Sequence, residues 1–272
     1  MQAVSQSSTI RRPAVAGRFY PREPDQLRVQ LRSLLADLSP SAAATPKAVI
    51  APHAGYVYSG SVAAAAFATL RGSTQTIKRV VLVGPAHYIP VRGMAAPTVD
   101  DFETPLGRVP VDAAAVAEVA NLPYVVRSDV PHAPEHSLEV ELPFLQMLLP
   151  SFEIVPLLVG DAVPQSVAAV LRILWGGPET LIVVSSDLSH YHAYEMARRL
   201  DAATAAAVER GDWASVGPDR ACGWLAVAGL LIEAGRRGVT AERLALCNSG
   251  DTAGSRDSVV GYGAWMFASG AQ

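Results

Sequence analysis

Four short and almost uninterrupted apolar runs are the feature of this sequence that most restricts its fold. They lie at residues 48–51, 80–83, 152–159 and 181–184, and each is rich in valine, isoleucine or leucine. Continuous apolar runs, unlike alternating ones, are typical of strands that are covered on both faces of a parallel sheet. Helical stretches separate the runs, so the order of elements predicts an α/β protein.

The predicted helices lie between or after these runs, at residues 59–70, 113–119, 164–175, 194–210 and 221–234. Thr104–Gly107 is typical of a hairpin turn, and residues 257–267 predict a final strand. Pro156 indicates that its own strand is an edge strand or contains a bulge, because proline cannot donate to a neighbouring strand. Residues 39–46 predict a short loop rather than a linker.

No repeat and no internal boundary divides the chain. We therefore predict a single domain over residues 1–272, with residues 1–10 flexible. The predicted architecture is a sandwich with a mostly parallel central sheet covered by helices.

Composition excludes several classes of function. Half of the 272 residues are hydrophobic and only 17% are charged, which suits a folded chain with a large core. The net charge of −3 comes without a basic stripe, so we expect no nucleic-acid binding. We expect no membrane segment because no apolar run is long enough to cross a bilayer. Two cysteines, Cys222 and Cys247, cannot form a disulfide framework, and a cytoplasmic location is the expectation.

Three histidines follow three of the predicted strands. His53 comes after the first strand, His87 after the second and His190 after the fourth. Ligands of open α/β sheets bind beyond the carboxyl ends of the strands, so these side chains are expected at one site. Imidazole is a ligand for iron, zinc, copper and nickel. The pattern therefore predicts a metal site.

Two further groups are candidates for proton transfer. Asp187 lies three residues before His190 and is interpreted as a partner of that ring, as a ligand, or as the cap of the next helix. His136 is interpreted as an acid or base in the site, or as a surface neighbour of Glu135. Ser137 is expected to cap the helix that follows it.

A polar loop near the C-terminus supplies a carboxylate. Asp251 lies in the loop 248–254, and with His53 and His87 it would complete the two-histidine, one-carboxylate arrangement of non-haem Fe(II) sites. The alternative is that Asp251 stabilises a turn. Cys222 lies at the start of the helix predicted at 221–234, whose dipole would lower the pKa of the thiol; it is a candidate nucleophile or ligand, or a small buried apolar residue.

Seven ordered motifs resemble the Memo family, which includes protein B of the prokaryotic AmmeMemoRadiSam system. They extend over nearly the whole chain, at residues 13–21 (PAVAGRFYP), 51–60 (APHAGYVYSG), 84–87 (GPAH), 104–107 (TPLG), 135–143 (EHSLEVELP), 185–190 (SSDLSH) and 257–262 (DSVVGY).

The resemblance implies the fold of the class III extradiol dioxygenases, which are LigB-like, with a metal site at the strand ends. His53 and His87 match metal ligands of the family. Asp187 and His190 match the polar pair beside the metal, where the dioxygenase relatives have an acid/base histidine.

The third ligand is open. An ungapped alignment puts Thr252 where the animal members have a cysteine, a shift of one residue puts Asp251 there, and Cys247 is near in sequence. Because threonine is a poor ligand for iron, we expect Asp251.

The expected function is redox chemistry on a small aromatic or related substrate, with Fe(II) as the metal and copper or zinc as alternatives. His190, oriented by Asp187, would move protons, and His136 would assist. One alternative is a non-catalytic module that binds a peptide or partner in the same cleft, lined by Tyr56, Tyr58 and Trp224; another is a zinc hydrolase. The resemblance also implies radical-SAM proteins of the same system as partners.

Overall fold

A computed structural model describes residues 8–36, 38 and 45–269. In this part of the chain the strands are β1 (Ile10–Arg11), β2 (Ala48–Ala51), β3 (Arg79–Pro85), β4 (Met94–Ala96), β5 (Asp101–Thr104), β6 (Gly107–Pro110), β7 (Val125–Arg127), β8 (Glu153–Val159), β9 (Thr180–Ser185), β10 (His190–His192), β11 (Val239–Asn248) and β12 (Val259–Ser269).

The α-helices of the described residues are α1 (Pro24–Ala36), α2 (Tyr56–Ala68), α3 (Ala113–Val119), α4 (Leu142–Leu148), α5 (Pro164–Leu174), α6 (Tyr194–Glu209) and α7 (Trp224–Arg236). Short 3-10 helices lie at Thr69–Gly72, Glu139–Glu141, Trp213–Ser215 and Ser249–Asp251.

One mixed sheet organises the described residues. Its strand order is β10-β12-β2-β9-β3-β8-β4-β7, and β11 also pairs with β12. The central strands β2, β9, β3 and β8 are parallel, as the apolar runs predict, whereas β12 pairs with β2 in antiparallel orientation. The small sheet β1-β5-β6 contains the predicted hairpin turn, with Thr104 opposite Gly107.

Helices cover both faces of the large sheet, so the predicted α/β architecture is confirmed. Along β3, Val80 and Leu82 belong to one buried cluster and Val81 and Val83 to the other. Buried residues of α1, α2 and α4 pack on the first face, and those of α3, α5, α6 and α7 pack on the second. Successive side chains of a strand point to opposite faces, which explains why these strands are apolar at every position.

The environment of Pro156 differs from the prediction of an edge strand. Strand β8 lies between β3 and β4 and is therefore internal. Strand β4 reaches only Leu158 and Val159, so Pro156 lies beyond the part of β8 that β4 pairs with. A proline in an internal strand is tolerated where the neighbouring strand stops short.

Two sequence predictions concern segments that are partly outside the described residues. Of the loop predicted at 39–46, residues 39–44 are outside, and of the flexible end predicted at 1–10, residues 1–7 are outside. Ile10 pairs with Asp101 in the small sheet, so that position is ordered by strand pairing. Within the described residues, no helix has both the length and the apolar content needed to cross a bilayer.

Candidate metal centre

The order of the central strands brings distant histidines to one edge of the sheet. Strand β9 lies between β2 and β3, and all three are parallel, so their carboxyl ends finish together. His53 follows β2, His87 follows β3, and Asp187 with His190 follows β9. The expected convergence therefore has a simple topological cause.

Three histidines form the cluster at this edge. They are His53, His87 and His136, and each offers a ring nitrogen within 4.8 Å of those of the other two. The ring centroids lie 5.2 Å apart for His53 and His87, 5.4 Å for His53 and His136, and 4.9 Å for His87 and His136. His53 is buried, whereas the His87 side chain is 29% exposed, so the cluster opens to solvent on the His87 side.

The segment that carries His136 is held against the end of β3. The Ser137 hydroxyl donates to the carbonyl of Pro85 over 2.8 Å. A Cβ added at Gly84 would lie 2.9 Å from the end of the Leu138 side chain and 3.1 Å from the Ser137 hydroxyl, so a larger residue there would displace both side chains. Ser137 therefore joins two segments. The sequence predicts that it caps a helix, and this is wrong, because α4 begins only at Leu142, with Pro143 in its first turn.

The ring of His53 is oriented by a buried polar chain. Its Nδ1 lies 2.7 Å from the Ser185 hydroxyl, which also lies 2.6 Å from the Ser137 carbonyl and 2.8 Å from Glu141 Oε1. The single hydroxyl hydrogen goes to one of these two oxygens, so a lone pair of Ser185 accepts from the His53 Nδ1–H. This tautomer leaves Nε2 of His53 unprotonated and able to ligate.

Glu135 orients the other two rings. Its carboxylate accepts from the backbone N–H of His87, lies 2.9 Å from His87 Nδ1, and lies 3.2 Å from His136 Nδ1. Glu135 is buried, so the alternative of a surface pair with His136 is wrong. A carboxylate behind a ligating histidine fixes its tautomer and raises the basicity of the other nitrogen.

Burial and mutual repulsion determine the charge of the cluster. Burial lowers the pKa of His53 well below its ordinary value, and the neighbouring His87 and His136 lower it further. Burial alone would raise the pKa of Glu135, but its contacts with His136 and His87 outweigh that effect and hold the pKa well below its usual range. The centre therefore combines a neutral imidazole at His53 with a fixed negative charge behind the rings.

These residues fit a divalent metal ion. Nitrogens bound to one ion at about 2.1 Å lie roughly 3 to 3.5 Å apart, so small side-chain rotations would bring the three nitrogens to a common ion. In His53 and His87 the Nδ1 atoms are engaged, which leaves the Nε2 atoms to ligate. The three histidines could therefore hold a divalent metal, whose identity the donor set does not fix.

Asp187 and His190 lie beside the cluster, but they do not pair as the sequence suggested. Asp187 Oδ1 accepts from the backbone N–H of His53 over 2.8 Å, so it neither caps the next helix nor bonds to the His190 ring. His190 Nδ1 donates to the carbonyl of Leu188 over 2.8 Å, and this leaves its Nε2 free. Burial raises the pKa of Asp187, and nearby histidines, His190 first, oppose that effect.

The structure does not bring Asp251 to the histidines. Its carboxylate accepts from the hydroxyl of Tyr194 and, over 3.1 Å, from the backbone N–H of Asn248. Asn248 in turn accepts from Gly250, so the pair forms a capping box on a short 3-10 helix. Local hydrogen bonding thus uses both oxygens of Asp251, and His136 occupies the third position of the cluster instead.

The other two candidates for the third ligand, Cys247 and Thr252, are not part of the histidine cluster. Cys247 lies on β11 and lines a 180 Å³ cavity with Asp251; burial first, and then the charges of Asp251 and Asp201, raise the pKa of its thiol to about 11. Thr252 donates its hydroxyl to the carbonyl of Ser249.

Cys222, which the sequence left as nucleophile, ligand or apolar residue, contacts the cluster. Its Sγ lies 3.3 Å from Nε2 of His53. Burial raises the pKa of the thiol, followed by the effect of Asp187, so the prediction of a thiol pKa lowered by the helix dipole is wrong. The helix α7 begins only at Trp224, and the thiol lies in a buried turn in front of it.

Sequence reasoning missed the residues that orient the rings. Ser185 and Glu141 are separated by 44 positions, and nothing in either motif indicates their contact. Glu135 was visible only as the neighbour of His136. Tyr56, one of three aromatic residues expected to line a binding surface, is buried and donates to the carbonyl of Val140, whereas Tyr58 is exposed.

The fold and the cluster define an α/β protein with a candidate metal centre at the carboxyl ends of its parallel strands. The family model described as Memo-like protein matches residues 11–266. The chain therefore belongs to the Memo family.

Related proteins support this assignment over the full length. A MEMO1 family protein of Nitrosopumilus maritimus is 34% identical, covering 95% of this chain and 99% of its own. A MEMO1 family protein of Aquifex aeolicus is also 34% identical with the same coverage. An uncharacterised protein of Escherichia coli K12 has a similar fold, with a TM-score of 0.50 and 14% identity over 79% of this chain and 98% of that one.

Proposed function

We propose that this protein is a metal-dependent oxidoreductase that resembles the extradiol dioxygenases and holds Fe(II) at His53, His87 and His136. The observation that carries the proposal is the convergence of three ring nitrogens whose opposite nitrogens face Ser185 or Glu135. Three protein ligands leave further positions for substrate and O2, which is the pattern of catalytic rather than structural sites.

Fe(II) bound here would supply Lewis acidity and electrons for the reduction of O2. The protein residues would bind the ion and move the protons. His190 is the proposed base, because its Nδ1 donates to Leu188 and its Nε2 is left with a lone pair for a substrate hydroxyl. Asp187, beside it, holds the backbone of His53 in place and stabilises positive charge that develops on His190.

Aromatic side chains next to the cluster favour a small planar substrate. The ring of Phe19 packs edge-on against His136 at 4.8 Å, and the ring of Tyr88 does so at 5.7 Å. Tyr88 is 52% exposed, so it lies where the cluster meets solvent. Such rings pack edge-to-face or offset on a bound aromatic ring.

The test begins with protein purified without oxygen and loaded with Fe(II). We expect one iron per chain, and we expect O2 uptake with at least one member of a panel of aromatic diols. His53→Ala and His87→Ala should each lose the iron, while the exposed Tyr58→Ala should keep it. Variants of His53 and His87 that bind as much iron as the unchanged chain would contradict the site. A chain that binds no metal would support the alternative of a peptide- or partner-binding module.

One observation favours a second candidate, a zinc-dependent hydrolase. All three ligands are imidazoles, the set that catalytic zinc uses with a bound water as the fourth ligand. In that case His190 would accept the proton of the water. Turnover under argon with Zn²⁺ present would favour the hydrolase, and turnover that requires O2 would eliminate it.

A further inference from the structure

A buried arginine from the N-terminal segment contacts the segment that carries His136 at three points. Arg11 donates from Nε to the carbonyl of His132 over 3.0 Å, from one terminal nitrogen to the carbonyl of Glu135, and from the other to the carboxylate of Glu139. Its side chain is 4% exposed, and its guanidinium lies 5.6 Å from the ring centre of Phe102. One planar cation thus satisfies three acceptors of a single segment.

Glu139 completes the connection from the other side. Its carboxylate accepts from the backbone N–H groups of Ala14, over 2.7 Å, and Val15, over 3.0 Å, and from the hydroxyl of Tyr20. Arg11 and Glu139 therefore join residues 11–20 to residues 132–139. We call this pair and its contacts the Arg11 clamp.

The clamped segment depends on such contacts for its conformation. Residues 128–138, all of which the structure describes, form turns and no helix or strand. Without a regular ladder, these inward carbonyls depend on nearby donors. The carbonyl of Glu135 accepts from Arg11, and that of His132 accepts from Arg11 and, over 3.3 Å, from the backbone N–H of Glu135. Removing Arg11 would leave the carbonyl of Glu135 to find a new partner and that of His132 with its backbone bond alone, and it would let the turns rearrange.

The segment that Arg11 contacts contains His136 and, through Glu135, also orients His87. The carbonyl of Glu135 accepts from Arg11, while its carboxylate accepts from the backbone N–H of His87 and faces Nδ1 of His87 and His136. His136 is the next residue. A displacement of Glu135 by a fraction of an ångström therefore moves His136 directly and reorients His87.

We infer that Arg11 is a positioning residue of the metal centre, and that the N-terminal segment sets the metal affinity through the Arg11 clamp. The inference rests on the proposed metal site. It assigns to Arg11 an effect on affinity that exceeds its effect on stability, because the clamped segment carries the ligand His136 and the Glu135 that orients His87, and it contains no core strand. Groups that orient metal ligands from outside change metal affinity by about 10- to 100-fold.

The first test compares two neighbouring ion pairs in the full-length chain. The double variant Arg11→Met/Glu139→Gln removes the buried pair without leaving either charge alone, a situation that is costly in a protein interior. The matched control Arg12→Met/Glu103→Gln removes the exposed pair formed by the adjacent arginine. Zn²⁺ alone is the probe, and its affinity is measured by competition with a chromophoric chelator.

We expect the Arg11/Glu139 variant to bind Zn²⁺ about 10- to 100-fold more weakly, and the control to bind within about twofold of the unchanged chain. The visible spectrum of the Co²⁺-substituted protein should also change in the first variant only, because ligand geometry changes. A folded Arg11/Glu139 variant with unchanged affinity and spectrum would overturn the inference while leaving the metal site intact. Absence of metal binding by the unchanged chain would overturn both.

A second variant serves if the first does not fold. Arg11→Lys keeps the charge opposite Glu139, but a single ammonium cannot reproduce the planar fork that reaches both carbonyls. We expect Zn²⁺ affinity to fall by about 3- to 10-fold with Glu139 still paired. If Arg11→Lys shows the affinity and Co²⁺ spectrum of the unchanged chain, the positioning role is wrong.

Discussion

The strand-end cluster and the loop between β11 and β12 both contain side chains that can ligate a metal, imidazoles in the cluster and the Asp251 carboxylate in the loop, yet only the cluster brings its donor atoms together. In the cluster, Nδ1 of His53 and of His87 faces a buried partner, Ser185 or Glu135, and the opposite nitrogen remains to ligate. In the loop, both oxygens of Asp251 accept hydrogen bonds, from Tyr194 and from Asn248. A side chain can bind a metal when its hydrogen-bond partners leave one ligating atom available. Proximity to a motif in the sequence does not ensure this.

Replacing His136 and Asp251 by alanine tests this comparison most strongly. We expect His136→Ala to lower the affinity for Zn²⁺ or Fe(II) by at least about 100-fold, because one of three ligands is lost. Asp251→Ala should change the affinity by less than about threefold. Isothermal titration with both variants is the measurement, and a larger loss for Asp251 would restore the carboxylate that the sequence favoured.

Glu135 is expected to give the next largest effect. Glu135→Gln keeps the shape but removes the charge that faces Nδ1 of His87 and His136, so the rings become less basic and less firmly oriented. Metal affinity should fall by about 10- to 100-fold. Glu103→Gln, which alters a half-buried carboxylate paired with the exposed Arg12, is the control. Equal affinities of the two variants would show that Glu135 does not act on the ligands.

His132 and His136 lie four residues apart in the clamped segment, but only His136 belongs to the metal cluster. His132 is buried, and its ring contacts the carbonyl of Ala95. Burial lowers its pKa from 6.5 to about 4. The unfolded chain therefore binds more protons than the folded one between these values, and stability falls as the pH drops through 6.5. The loss from this group is about 1 kcal/mol between pH 7 and pH 5.5.

Denaturant unfolding at the two pH values measures this contribution. His132→Gln keeps a donor toward the carbonyl of Ala95, which His132 Nε2 contacts over 3.1 Å, and it removes the titration. We expect the pH dependence of unfolding to be smaller by about 1 kcal/mol in this variant. Identical pH dependence in both chains would mean that His132 is not held neutral by burial.

The smallest effect concerns the loop itself. Asp251→Ala removes one half of the capping box and the partner of the Tyr194 hydroxyl, and should lower the free energy of unfolding by about 1 kcal/mol. Thermal unfolding without metal is the measurement. A variant with full stability but impaired metal binding would reverse the roles of the two regions.

Most elements of the fold were predictable because their cause is local. The apolar runs at 48–51 and 181–184 lie within β2 and β9, and α3 has the predicted bounds. The start of α7 was not predictable: the sequence suggested Ala221, whereas the helix begins at Trp224. Residues 221–223 instead form a turn against the end of β9, where Gly223 donates to the Ser186 hydroxyl.

The site was predictable only in part, because only some of its residues are positioned by local features of the sequence. His53 and His87 follow buried strands, and parallel strands finish at one edge, so their meeting could be expected from the sequence. His136 is in an irregular segment that no periodicity locates, and its place depends on Ser137, Glu135 and the Arg11 clamp. The sequence therefore indicated His136 as an acid or base in the site, but motif spacing did not show that it is the third member of the cluster.

The sequence by itself determined the class of fold, the family and two of the three clustered histidines, because apolar patterning and ordered motifs are properties of the chain. The tertiary structure alone decided which nitrogen of His53 and of His87 faces Ser185 or Glu135, and that Asp251 forms its hydrogen bonds elsewhere. It also decided that Glu135 is buried behind two rings. The contacts of His53 with Ser185 and of His87 with Glu135 join residues 132 and 48 positions apart, and hydrogen bonds of that kind form only when the folded core brings their partners together.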